Sequence, residues 1–100
     1  MIEATIERHL VRMVKRAGGE VRKVRWIGRR GAPDRLVLMK SPVSIEHAAH
    51  SSCFFFVELK RPGGKLRPEQ EREIAILRES GVSVLVFDTI EQINFFFSER

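Results

Sequence analysis

Two acids and a lysine stand at the ends of two strand-like segments. Asp34 precedes an apolar segment at residues 35–39, and Glu58 and Lys60 end a second apolar segment that begins at Cys53. Because alternate residues of a strand face the same side, Glu58 and Lys60 should point together. If the two segments are neighbouring strands, Asp34 joins them. We therefore expect two carboxylates and an ammonium group to converge at one strand end.

Such a set of groups is what a metal-dependent phosphodiesterase needs. Carboxylates are hard oxygen ligands that suit Mg2+ or Mn2+, so we predict that Asp34 and Glu58 hold the ion, with the main-chain carbonyl of Leu59 as a third oxygen. The ion stabilises charge on the phosphate and generates or orients hydroxide. Since nearby acids favour the charged form of a lysine, we assign Lys60 first to aligning water and to electrostatics. General-base catalysis is its alternative role.

The residues around these groups resemble a known family. Pro33-Asp34 followed by Glu58-Leu59-Lys60 resembles the PD-(D/E)xK nuclease signature. The chain is also similar to the virus-type replication-repair nuclease (VRR-NUC) domain over three longer stretches, which are Gly31-Ala32-Pro33-Asp34-Arg35, Val57-Glu58-Leu59-Lys60-Arg61-Pro62-Gly63-Gly64 and Leu66-Arg67-Pro68-Glu69-Gln70. The resemblance covers nearly the whole chain. It implies a restriction-endonuclease-like core and metal-dependent hydrolysis of DNA.

Further site residues follow from the resemblance alone. The family carries an acid in its first helix, and Glu3, three residues before Ile6, matches it, with Glu7 as the alternative. We expect Glu3 to be an accessory acid that binds or orients a second ion or water. The other interpretation is that both acids only favour the helix N-terminus electrostatically. Gln70 matches the family's glutamine at a helix start, where it would reach Lys60, water or the DNA backbone. Without the resemblance it would be an exposed helix residue.

Stand-alone members of the family are expected, by resemblance, to be homodimers. Two active sites related by a twofold axis could cut two strands of a branched DNA such as a four-way (Holliday) junction. The phenylalanines at residues 95–97 offer more apolar surface than one short helix needs. That surface could pack against the core or against a partner subunit.

The composition indicates one globular domain. The chain has 100 residues, 43% hydrophobic and 31% charged, which predicts a single domain over residues 1–100. The resemblance implies that this is a VRR-NUC-like nuclease domain. No apolar stretch approaches the roughly 20 residues that a membrane helix needs, and no signal-peptide apolar region is evident. The single cysteine, Cys53, cannot form an intrachain disulfide. We therefore expect a cytoplasmic setting in a bacterial or phage-infected cell, without membrane association.

The charge of the chain favours a polyanionic partner. The formal net charge is +5 and the pI is about 10.1, although small domains also carry net charge for solubility alone. Basic residues cluster in glycine-bearing loops on either side of the proposed site, where they can contact phosphate oxygens. The candidate DNA contacts are Arg25, Arg29, Arg30, Arg61 and Lys65.

Periodicity and turn residues predict an α/β domain of order α-β-β-β-α-β-α. We predict helices over 2–17, from 68 to about 80, and a closing helix through about 97. The strands are predicted over 20–27, 35–39, 54–59 and 82–87, with a loop at 40–52. We expect the first three strands to form a meander and the fourth to lie parallel to the third, after a right-handed crossover. The continuous apolar third strand should be buried on both faces. The result is a mixed four-stranded sheet flanked by helices.

Two other functions compete with a nuclease. A non-catalytic nucleic-acid-binding module with a degenerate nuclease fold would explain the positive charge, but the complete set of Asp34, Glu58 and Lys60 argues against it. A small interaction protein would carry the motif by chance and show no dependence on metal. We therefore predict a Mg2+- or Mn2+-dependent DNA endonuclease.

Overall fold

The sheet and its helices follow the predicted chain order. The computed structural model describes residues 2–48 and 50–98. Within these residues the elements are α1 (Glu3–Arg16), β1 (Glu20–Lys23), β2 (Arg35–Val43), β3 (Ser52–Leu59), α2 (Pro68–Glu79), β4 (Val84–Phe87) and α3 (Ile90–Phe97). The predicted order α-β-β-β-α-β-α is confirmed.

The four strands form one mixed sheet in the order β1-β2-β3-β4. β1 pairs with β2, and β2 with β3, in antiparallel orientation, whereas β4 lies parallel to β3. The parallel pair requires a crossover, which α2 provides. The predicted meander and the predicted parallel fourth strand are both confirmed.

The core lies on the face of the sheet that carries the odd-numbered residues of β3. Phe55 and Val57 are buried there together with Leu59. α1 covers this face with an apolar stripe at a spacing of four residues, and α3 packs beside α1. The fully buried residues of the α1 stripe are Ile6, Leu10 and Val14. Leu59 therefore points into the core, as predicted, and its neighbours Glu58 and Lys60 point away from it.

Helix α3 starts as its sequence predicts. The main-chain N–H of Gln92 donates to the hydroxyl of Thr89 at 3.1 Å, and the side chain of Gln92 accepts from the N–H of Thr89 at 3.2 Å. This capping box satisfies two of the N–H groups that a helix start leaves unpaired.

Several details of the strands differ from the prediction. β3 begins at Ser52 rather than at residue 54, and β4 begins at Val84 rather than at residue 82. β1 ends at Lys23 rather than at residue 27. β2 continues through Pro42 to Val43, where a loop was predicted, because the proline falls in an irregularity of the β2–β3 register between Leu38 and Val43. Proline is tolerated at such a bulge, since no ladder hydrogen bond is required of it. The first half of β3 is not buried on both faces, because Phe54 is 55% exposed.

Gly31 fixes the approach of the loop before β2 to the start of α2. Its φ is +83°, which favours glycine. A Cβ atom there would lie 2.7 Å from the main-chain carbonyl carbon and oxygen of Glu69. No side chain larger than hydrogen therefore fits without moving the loop away from α2.

A comparison of two glycines tests this close approach. Gly28 has nearly the same φ, +79°, and a Cβ atom there would meet nothing within 4 Å. Gly28→Ala should cost about 1 kcal/mol from backbone strain alone. Gly31→Ala should cost about 1–3 kcal/mol more, because the added carbon overlaps main chain. Urea unfolding of the two variants measures the difference, and equal costs would contradict the close packing.

Candidate active site

The register of the sheet brings the two acids to the same edge. β2 runs antiparallel to β3, so the start of β2 lies beside the end of β3, and Arg35 pairs with Val57. Asp34 immediately precedes β2, and Glu58 immediately follows Val57. The pairing of the two strands therefore places Asp34 next to the strand end that carries Glu58 and Lys60.

The Pro33-Asp34 corner is held by contacts on both sides. The indole N–H of Trp26 donates to the main-chain carbonyl of Pro33 at 2.7 Å, and the Trp26 ring packs on Phe56 with centroids 5.4 Å apart. The main-chain N–H of Val24 donates to the carbonyl of Asp34 at 2.9 Å. Trp26 is therefore a packing residue, as the sequence favours, and it anchors the corner to β3.

Glu58 is a buried carboxylate under the influence of several charges. It is 9% exposed. Burial is the largest cause that raises the pKa of Glu58, to about 7; the positive charge of Lys60 opposes the shift, and the negative charges of Asp34 and Glu3 add to it. Arg67 makes a smaller opposing contribution. Glu58 therefore lies within electrostatic range of Lys60, Asp34 and Glu3, and its burial makes the ionised form costly.

Gln70 connects the start of α2 to Glu58. Its amide Nε2 donates to Oε2 of Glu58 at 3.4 Å, a long hydrogen bond, while its Oε1 accepts from the N–H of Arg67 at 2.8 Å. Gln70 is buried, so the alternative of an exposed helix residue is wrong. The structure places Gln70 against the Glu58 carboxylate rather than against Lys60.

Arg35 is a site residue that the sequence analysis did not single out. Its guanidinium pairs with Glu7 of α1 and with Oδ1 of Asp34, the latter at 2.8 Å. The Arg35 side chain is 13% exposed, whereas that of Asp34 is 64% exposed. Glu7 thus pairs with Arg35 while Glu3 acts on Glu58, which favours Glu3 over Glu7 as the accessory acid.

The donor set fits a divalent cation in its chemistry. Asp34 and Glu58 would supply carboxylate oxygens and Leu59, the last residue of β3, a carbonyl oxygen, all hard ligands. A cation would also offset the cost of ionised Glu58. Within residues 2–48 and 50–98, no three His, Cys, Asp or Glu side chains form a metal-binding group by themselves. Glu3, Asp34 and Glu58 are therefore not a preassembled three-acid cage, and Arg35 holds one of these acids.

The predicted DNA contacts lie around this edge on exposed loops. Arg25 and Arg30 are exposed on the segment before the Pro-Asp corner, and Arg61 and Lys65 are exposed on the loop after Lys60. Arg29 differs from these, because its Nε donates to the buried carboxylate of Glu73 at 2.6 Å.

A Pro-Asp corner and a Glu-x-Lys strand end on adjacent strands of a mixed sheet define the PD-(D/E)xK class of nuclease domains. Comparisons with known proteins give the family. The sequence model of the VRR-NUC domain matches residues 3–89. A solved structure named "VRR_NUC domain" superposes with a TM-score of 0.78 and 30% identity, over 96% of this chain and 94% of that one.

A phage protein is similar over most of both sequences. "Putative nuclease p44" of Acyrthosiphon pisum secondary endosymbiont phage 1 is 42% identical over 87 residues, which are 87% of this chain and 83% of that protein. The chain belongs to the VRR-NUC domain family, and it is a nuclease domain.

The Glu7–Arg35 ion pair should contribute measurably to stability. Because both side chains are partly buried, a double-mutant cycle with Glu7→Gln and Arg35→Met should give a coupling energy of about 1–2 kcal/mol in urea unfolding. The exposed pair Glu20–Arg22 in β1, with N and O 3.2 Å apart, serves as the control and should give less than about 0.5 kcal/mol. Equal couplings in the two cycles would contradict a structural role for Arg35.

A pH series of stability tests the buried charge of Glu58. The pKa of Glu58 in the folded protein, about 7, lies above its ordinary value of 4.5, so the folded protein binds this proton more tightly than the unfolded chain does. The stability that the neutral carboxyl confers is complete below pH 4.5 and is lost as the pH rises through about 7. Glu58→Gln remains neutral throughout.

The free energy of unfolding of Glu58→Gln, relative to that of the wild type, should therefore increase by up to about 3 kcal/mol from acid to mildly alkaline pH. Urea unfolding in EDTA at each pH measures it. A difference between the two proteins that does not change with pH would contradict the burial of this charge.

Proposed function

We propose that this nuclease domain is a Mg2+- or Mn2+-dependent DNA endonuclease that hydrolyses phosphodiester bonds in line. The observation that carries the proposal is the buried carboxylate of Glu58, which lies among Lys60, Asp34 and Glu3 and is costly to ionise. A buried acid with a purely structural role at this position would destabilise the fold without contributing to function. A divalent cation and a phosphate group would balance these charges.

Each residue of the site has a task in this proposal. Asp34 and Glu58, with the Leu59 carbonyl, would hold the ion, which when bound stabilises charge on the phosphate and activates water. Lys60 orients the attacking water and balances charge at the scissile phosphate. Gln70 restrains the Glu58 carboxylate through its hydrogen bond. Glu3 is the accessory acid, which orients water or a second ion.

Arg35 positions Asp34. Its ion pair holds the Asp34 carboxylate at the edge of the sheet, and Glu7 fixes Arg35 from α1. Since a carboxylate has two oxygens and several lone pairs, Asp34 can accept from Arg35 and still offer an oxygen to an ion. Its large exposure leaves that side of the carboxylate open.

The proposal extends to the form of the DNA substrate and to the subunit assembly. We infer a branched DNA substrate such as a four-way junction, cut by a homodimer, because the family resemblance implies both. The exposed Phe95 is available for a subunit contact. No helix within the described ranges is long and apolar enough to cross a membrane. The phage relative supports the cytoplasm of a bacterial or phage-infected cell as the setting.

One observation favours the second candidate function, a non-catalytic DNA-binding module. Asp34 is engaged by Arg35, and the acids among the described residues do not form a three-ligand group. If the Arg35–Asp34 ion pair were too strong to let Asp34 bind a metal, the domain could still bind DNA through its positive charge but could not cut it. The two functions differ in whether DNA is cut.

Cleavage assays separate them. Purified protein should cut linear or four-way DNA with Mg2+ or Mn2+ and not with EDTA. Asp34→Ala and Lys60→Ala should each lower the rate on the order of 100-fold or more, because each removes a group that acts on the reacting atoms. Lys15→Ala, on the exposed last turn of α1, is the matched lysine control and should leave the rate unchanged.

Circular dichroism and thermal unfolding establish that each variant is folded. Binding of DNA without cleavage, unaffected by EDTA, would support the binding module instead. Cleavage that persists in EDTA would overturn the proposed mechanism.

A further inference from the structure

A polar groove lies beside the candidate active site, between the loop before β2 and one face of α2. It has a volume of about 680 Å³. The loop contributes Gly28, Arg29 and Arg30. The helix contributes residues at a spacing of three and four, which share one helical face; they are Glu69, Arg72, Glu73 and Ile76.

The groove is continuous with the proposed site. Gly31, next to Arg30, packs on the main chain of Glu69 and Gln70. Gln70 in turn contacts Glu58. The groove therefore starts at Glu69, one residue before Gln70, whose side chain contacts the candidate metal ligand Glu58. From there the groove follows α2 away from Gln70. From Glu69 to Ile76 the helix rises about 10 Å, which is long enough for more than one nucleotide.

The acids of the groove are already neutralised. Glu73 is buried and accepts from Arg29 at 2.6 Å, and Glu69 pairs with Arg67 at 2.9 Å. The Arg29–Glu73 pair joins the loop to α2 and so forms the wall of the groove.

Two arginines of the groove form no salt bridge within the described residues, although the charge of Arg30 also acts on Glu69. Arg30 and Arg72 are exposed, and within the described part of the chain neither forms an ion pair with an acid. The groove therefore presents two guanidinium groups, one on each side, which suits the phosphates of a single polynucleotide strand.

We propose that the groove binds the DNA strand that leaves the active site, with Arg30 and Arg72 on successive backbone phosphates. The inference rests on the proposed function, because the strand enters the groove from the scissile phosphate. Arg30 was a predicted DNA contact. Arg72 is a new one, and Arg29 acts through its contact with Glu73 as a positioning residue of the wall.

DNA binding in EDTA tests the groove apart from cleavage. The double variant Arg30→Gln/Arg72→Gln should bind a fluorescent DNA on the order of tenfold more weakly or worse than the wild type, in anisotropy titrations over a salt series. The slope of log affinity against log salt should become shallower by about 1.8 for a duplex contact or about 1.4 for a single-strand contact, because two phosphate contacts are lost.

Two matched variants control for charge. Lys15→Gln/Arg16→Gln removes the same charge from the last turn of α1. This turn leads into the start of β1, the end of that strand farther from Asp34. The variant should therefore change the salt slope less. Arg30→Lys/Arg72→Lys keeps the charge and should recover most of the affinity. Equal losses in the two glutamine variants would show that only overall charge matters and would overturn the groove.

The results distinguish failure of the groove inference from failure of the proposed function. If the groove variant binds as the wild type does, the inference fails, whatever the cleavage assays give. If it loses affinity and slope as expected while the wild type never cuts DNA with either metal, the groove stands and the catalytic proposal fails. Unfolding curves of Arg30→Gln/Arg72→Gln confirm that exposed residues were changed without loss of the fold.

Discussion

The antiparallel pairing of β2 with β3 is the constraint on which the rest of the structure depends. Arg35 lies opposite Val57 in this register, so the acid before β2 and the acid after Val57 are brought to the same edge. A slip of one residue would turn the Glu58 side chain from one face of the sheet to the other. The register is specified by burial, because Phe55 and Val57 must face the helices while the polar residue follows them.

The second consequence of this pairing is an electrostatic conflict. A carboxylate that is almost fully covered lies near two other acids, and one lysine offsets only part of the cost. Arg35 pairs with Asp34, whereas at Glu58 Arg67 adds only a smaller opposing contribution to that of Lys60. A divalent ion bound as proposed would offset the remaining cost of ionised Glu58. Ion binding of this kind would explain why the fold retains a buried carboxylate at Glu58.

Much of the fold was open to prediction because its signals are local. The two-residue repeat placed Glu58 and Lys60 on one side of a strand, and apolar periodicity located α1. Long-range contacts between side chains carried no such signal. Nothing in the sequence indicates that Arg35 finds Glu7, which lies 28 residues earlier on a helix, or that the loop at Gly31 docks on α2 and opens a groove. Pro42 predicts the end of a strand, since proline lacks the N–H that a ladder requires, but here it occupies a bulge within β2.

A titration with Mn2+, followed by electron paramagnetic resonance of the free ion, tests most directly whether the register assembles one cation site. At a pH above that at which Glu58 ionises, the wild type should bind one ion that is lost in Asp34→Asn and in Glu58→Gln, two residues 24 positions apart in the chain. Lys60→Ala should keep this ion or bind it more tightly, because a nearby positive charge is removed. Undiminished binding in Asp34→Asn would contradict the account, since the paired strands would then not present both acids to a single ion.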